Sequence, residues 1–209
     1  MTGEATSRAA PPVDAAPEDQ ARAEFYALLG RLWYAAPDQA LLDAIASAPP
    51  LTAEGAHGAL AEAWRQLQAA AAVADPGVVA EEYDAVLVGT GKAEVTPYVS
   101  HYLVETGRER VLVALRDELA ELGLGRVGAT HEPEDHFAAL CDVMRHLVAQ
   151  GAGDAAMQQQ KNFFTRYMNR AYNPFTDQVT ASSRTSFYKH VARFTKAFCD
   201  VEAASLDML

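Results

Sequence analysis

The chain has 209 residues, half of them hydrophobic and 22% charged, with 28 acids against 17 lysines and arginines. That length suits one ordinary domain able to bury a core of its own. The formal charge of −11 argues against a nucleic-acid surface, which would have to be basic, and leaves room for a basic partner.

Residues 1–16 carry prolines, acids and little to bury, and are expected to be a mobile tail. The N-terminus lacks the basic start and apolar stretch of a secretory signal. Apolar runs also stop short of the ~20 residues of a membrane span, so a cytoplasmic protein that is not integral to a membrane is expected. From Pro17 onward the pattern is helical almost throughout. Proline and the acids Glu18 and Asp19 suit the first turn of a helix carrying Phe25, Leu28, Leu29, Leu32 and Trp33. Pro37 ends it. A short helix over 38–47 closes at Pro49-Pro50, and a longer Ala-rich one fits 52–74. Asp75-Pro76-Gly77 punctuates, and 78–88 forms another short helix.

The stretch GTGKAEVTPYVS, residues 89–100, has no helical period and is the longest irregular segment inside the domain. Val111, Leu112, Leu115, Leu119 and Leu122 then mark a helix ending at Gly123. Pro133 is expected to open the next, with Phe137, Leu140, Cys141, Met144, Leu147 and Val148 on one face, stopped by Gly151 and Gly153. Residues 155–172 are helical, and a last helix from about 177 aligns Phe187, Val191, Phe194, Phe198 and Val201. No segment alternates as a strand does. The expectation is an all-α, single-domain helical bundle over 17–209, with a long loop in mid-chain. Cys141 and Cys199 lie in apolar stripes and read as two buried thiols.

The densest polar cluster is His131-Glu132-Pro133-Glu134-Asp135-His136. Placing Pro133 first puts Glu134 and Asp135 in a helix's first turn, where acids offset unpaired N–H groups. Capping alone accounts for two of these acids. The cluster as a whole offers an anionic patch beside two imidazoles, suited to an arginine-bearing peptide. Competing chemistries fit less well. A helical di-metal site needs two Glu-x-x-His pairs, and only Glu54 with His57 has that spacing. Gly89-Thr90-Gly91-Lys92 resembles a phosphate loop, but Val86 and Ala93 stand where Gly and Ser or Thr belong. There is no Gly-x-Ser-x-Gly elbow. No cofactor, metal or catalytic set is expected. A metal- or nucleotide-dependent enzyme and a generic helical adaptor remain the alternatives to a peptide binder.

Three segments together resemble the TorD/DmsD family of molybdoenzyme maturation chaperones. They are Glu82-Tyr83-Asp84-Ala85-Val86-Leu87, Pro97-Tyr98-Val99-Ser100-His101-Tyr102, and Glu132-Pro133-Glu134-Asp135-His136-Phe137 running to Met144. Phe187-Tyr188 resembles the family's C-terminal Phe-Tyr helix. Order and spacing agree from about residue 20 to 200. Val88, Val99, Leu140 and Asp142 depart from the family's usual residues, and a tryptophan is missing near Ala171. The resemblance implies a cytoplasmic chaperone, monomeric or homodimeric. Its partner would be the catalytic subunit of a molybdenum-cofactor oxidoreductase, bound through the twin-arginine signal peptide or another segment. That segment would be held for cofactor insertion before export. Tyr98, Ser100, Glu132, Glu134, Asp135 and His136 are the expected peptide-binding residues.

Overall fold

In a computed structural model, residues 16–51, 58–89, 93–125, 132–151 and 153–209 are described. Most of the tail expected over 1–16 lies outside them, as do Glu54, His57, residues 90–92 and His131. The described residues form ten α-helices and no strand, as the missing β-alternation led us to expect.

Helix α1 (Pro17–Tyr34) starts on its proline, with Glu18 and Asp19 in the first turn. Asp38 caps α2 (Gln39–Ser47), accepting from the Leu41 amide at 2.8 Å. α3 (Gly58–Ala71) follows. Asp75 and Pro76 turn out to be a cap and first residue rather than punctuation, so α4 spans Pro76–Tyr83. It runs into a π turn at Asp84–Val88, closed by Gly89 N–H donating to the Asp84 carbonyl at 2.7 Å.

The irregular stretch ends in a short helix the sequence pattern did not reveal, α5 (Ser100–Leu103). α6 (Arg108–Glu121) precedes the left-handed Gly123 (φ +68°), where glycine carries no Cβ penalty. α7 spans Phe137–Ala149, and α8 (Asp154–Phe163) ends in a second π turn, Phe164–Met168. α9 (Tyr172–Ala181) and α10 (Tyr188–Asp207) are separate helices, where one helix from about 177 was expected. A serine-rich turn divides them.

α1 packs most extensively along α7, and α10 lies between α9 and α3. At Gly30 of α1 the Cβ position lies 3.4 Å from Asp142 and 3.5 Å from the Ala138 carbonyl, ordinary contact distances that mark where α1 and α7 meet. Trp33 anchors the centre. It is fully buried, meets Phe175 in a tilted contact with ring centroids 4.6 Å apart, and donates Nε1–H to Thr195 at 3.0 Å. Cys141 and Cys199 are both buried free thiols. α6 is peripheral: Leu115 is its one buried residue.

Two polar clusters fasten the bundle from within. Glu82, 7% exposed, accepts the Phe187 and Tyr188 amides at 3.0 and 2.6 Å and so satisfies the start of α10. Its neighbour Tyr83 donates to the Trp33 and Tyr34 carbonyls at the end of α1, at 3.2 and 2.8 Å. The Glu-Tyr segment is thus a clip on two helix ends. At the far end of α10, Arg22 makes two bonds to Glu202 (2.7 and 2.9 Å) and one each to Gln160 and Asp19, while Tyr26 donates to Glu202 at 2.9 Å.

Candidate functional site

Pro133 does not open α7. Residues 132–136 instead form a turn that pairs with the mid-chain loop, and α7 begins four residues later. Val99 N–H donates to the Asp135 carbonyl at 2.9 Å, and Phe137 N–H to the Pro97 carbonyl at 2.8 Å. Tyr98 and His136 face each other as an isolated antiparallel bridge. These bonds commit the backbone to an extended path that a helix start at 133 would have broken.

Asp135, 1% exposed, turns its carboxylate to the Ser100 amide at 3.2 Å and so caps the start of α5. Ser100 is buried beside it. His136 is the cap of α7, its Nδ1 accepting from the Ala138 amide at 3.2 Å. That bond needs Nδ1 unprotonated. Burial holds the imidazole below its ordinary value, against the pull of Glu132 and Asp135. The Tyr98 ring stands edge-on to His136 at 5.4 Å, and its hydroxyl donates to Glu132. Burial, then Glu132, pushes the phenol well up, so it stays a neutral donor.

Outside this turn lies a groove of about 520 Å³ between α7 and the C-terminal end of α6. Its walls are Tyr34, Leu119, Leu124, Ala138, Ala139 and Val143. Its polar lining is Glu132, Glu134, His136, Asp142, Arg145 and His146. Of the six residues singled out in sequence, Glu132, Glu134 and His136 line the groove. Tyr98, Ser100 and Asp135 do not; they form the loop-to-turn clasp behind its wall. The sequence pattern missed Tyr34, Asp142, Arg145 and His146. Asp142, Arg145 and His146 are three and four positions apart on α7, a polar stripe on an otherwise apolar helix that could have been noticed.

The groove carboxylates have arginines of this chain beside them. Arg116 of α6 lies 3.0 Å from Glu134, and Arg145 lies 3.6 Å from Asp142. A second groove, about 350 Å³ and almost wholly apolar, runs between α1, α2 and α3 past Phe25, Leu28, Ile45 and Trp64. Among the described residues no group of three or more His, Cys, Asp or Glu is placed to hold a metal ion, and no helix is long and apolar enough to cross a membrane.

The family model for the nitrate reductase delta subunit matches residues 54–177, a span that contains the loop, the turn, α6 and α7. The chain belongs to that family. It is also 26% identical over 215 residues to a chaperone protein TorD of Shewanella loihica, across 94% of this chain and 98% of that protein. Both findings support the TorD/DmsD resemblance seen in the Glu-Tyr, Pro-Tyr and Asp-His segments, and the molecule is a TorD-like molybdoenzyme maturation chaperone.

Proposed function

We propose that this chaperone uses the groove between α6 and α7 to hold the twin-arginine signal peptide, or another basic-then-apolar segment, of an immature molybdenum-cofactor oxidoreductase subunit. The segment stays bound in the cytoplasm until the cofactor is inserted and is then released for export. One observation carries the reading: apolar walls of α6 and α7 meet three carboxylates, Glu132, Glu134 and Asp142, in one groove. An arginine pair matches the carboxylates by charge-assisted hydrogen bonding. The apolar stretch that follows it matches the leucine and alanine walls, as in helix-in-groove recognition.

Roles divide accordingly. Glu132 and Glu134 meet the arginines directly. Tyr98 holds Glu132, and Asp135, Ser100 and His136 position the turn that carries both acids. Titration calorimetry with a synthetic peptide, paired arginines ahead of an apolar stretch, tests this. Glu134→Gln should weaken binding about fivefold to tenfold. Asp135→Ala with His136→Ala should weaken it through the displaced turn, the bundle remaining helical by circular dichroism. Unchanged affinity in both would remove the site assignment. Equal affinity for a paired-lysine peptide would favour a generic adaptor instead, because lysine lacks the two-pronged donor.

A further inference from the structure

The groove is not an open anionic site. Each of two lining carboxylates already has a guanidinium from this chain beside it. Arg116 reaches across from α6 to Glu134, and Arg145 lies one turn along α7 from Asp142. The partners differ in how free they are. Glu134 is held in the wall, its side chain 14% exposed, whereas Arg116 is 52% exposed. Arg145 is 42% exposed, yet its Nε is enclosed and makes no hydrogen bond, since Asp142 lies beyond hydrogen-bond reach at 3.6 Å. Neither arginine is needed to fill the core. α6 keeps only Leu115 buried, and both guanidiniums border solvent.

We infer that Arg116 and Arg145 are internal stand-ins for the arginines of the incoming segment, which they must yield to before it can seat. This rests on the proposed function and names the residues that set the affinity and the lifetime of the bound state. In the empty groove Arg116 offsets part of the charge of a largely buried Glu134, which lies beside Glu132 and Asp135. When the segment arrives, its guanidinium takes over that carboxylate and Arg116 swings into water. Arg145 gains hydrogen bonds for its enclosed Nε by the same movement. Binding is then an exchange of ion pairs rather than the making of new ones. The electrostatic gain is reduced by the internal pairs given up, so the segment can leave, which a holding protein that must later let go requires. A groove with free carboxylates would hold the same segment tighter and longer.

The test compares wild type with Arg116→Gln and Arg145→Gln, using the paired-arginine peptide in calorimetry and stopped-flow. Arg65→Gln is the control. Arg65 is 73% exposed and paired with Glu62 on α3, so this variant makes the same change in net charge away from the groove. Each groove variant should bind about twofold to fivefold tighter than wild type, mainly through slower dissociation. Each should also lose affinity more steeply as salt is raised, because the peptide then meets a carboxylate without the neighbouring arginine. Arg65→Gln should match wild type. Groove variants that bind no tighter than Arg65→Gln, or more weakly than wild type, would overturn the inference while leaving the groove as the binding site. Absence of binding by wild type and variants alike would overturn the proposed function, and the inference with it.

Discussion

The molecule holds two kinds of arginine–carboxylate pairing, and they differ in what surrounds them. At the closed end of the bundle, Arg22 and Glu202 are 18% and 2% exposed, and the guanidinium is used up by Glu202, Gln160 and Asp19. At the groove, Arg116 and Arg145 are about half exposed and each touches one carboxylate. The first pair has no exchange partner and ties α1, α8 and α10 together. In the second pairs the carboxylates line the groove and the arginines border solvent. Arginine beside carboxylate therefore says little by itself; enclosure decides whether the pair is a fastening or a replaceable occupant.

Breaking the enclosed pair should give the largest effect. Glu202→Ala leaves Arg22 without its two-bond partner and Tyr26 without its acceptor, and should lower stability by about 3 kcal/mol in urea unfolding. Peptide affinity should not change. Glu82→Ala comes next, orphaning two amides at the start of α10, with a loss of about 2 kcal/mol by the same measurement. Glu134→Gln should invert this pattern: stability within about 0.5 kcal/mol of wild type, with the affinity loss described above. A large stability loss there would erase the distinction between the two regions.

The smallest effect concerns pH. Burial holds His136 below its ordinary value of 6.5, so the unfolded chain binds a proton that the folded chain resists. The stabilisation is full above about pH 6.5 and declines as pH falls below it. His190, held low by burial and by Lys189 and Arg193, contributes a slope of the same sign. His136→Asn keeps a capping acceptor for α7 and removes the imidazole. Thermal unfolding of this variant should depend less steeply on pH than wild type between about pH 7 and 5.5.

The helices were legible because their signals are local. Pro17 with two acids started α1, Gly123 ended α6, and apolar spacing of three and four marked α7. The errors came where distant residues decide. Pro133 suits a helix start and a turn equally; Val99 and Ser100, more than thirty residues earlier, select the turn by bonding to Asp135. α9 and α10 looked continuous because the cap that starts α10 is Glu82, over a hundred residues upstream. Asp135 and His136 drew notice as charged residues, yet both are buried caps. The groove's polar groups, Asp142, Arg145 and His146, were hidden in a helix most of whose other residues form core. Composition shows which residues are chemically capable; only the packing shows which of them face a cavity.

The most direct measurement is photo-cross-linking of a paired-arginine peptide carrying a benzophenone in its apolar stretch, with the adducts mapped by mass spectrometry. The account places adducts on Tyr34, on 119–125 and on 138–146, diminished in Glu134→Gln. Adducts concentrated instead on Phe25, Leu28, Ile45 and Trp64 of the second groove, and unaffected by Glu134→Gln, would contradict it.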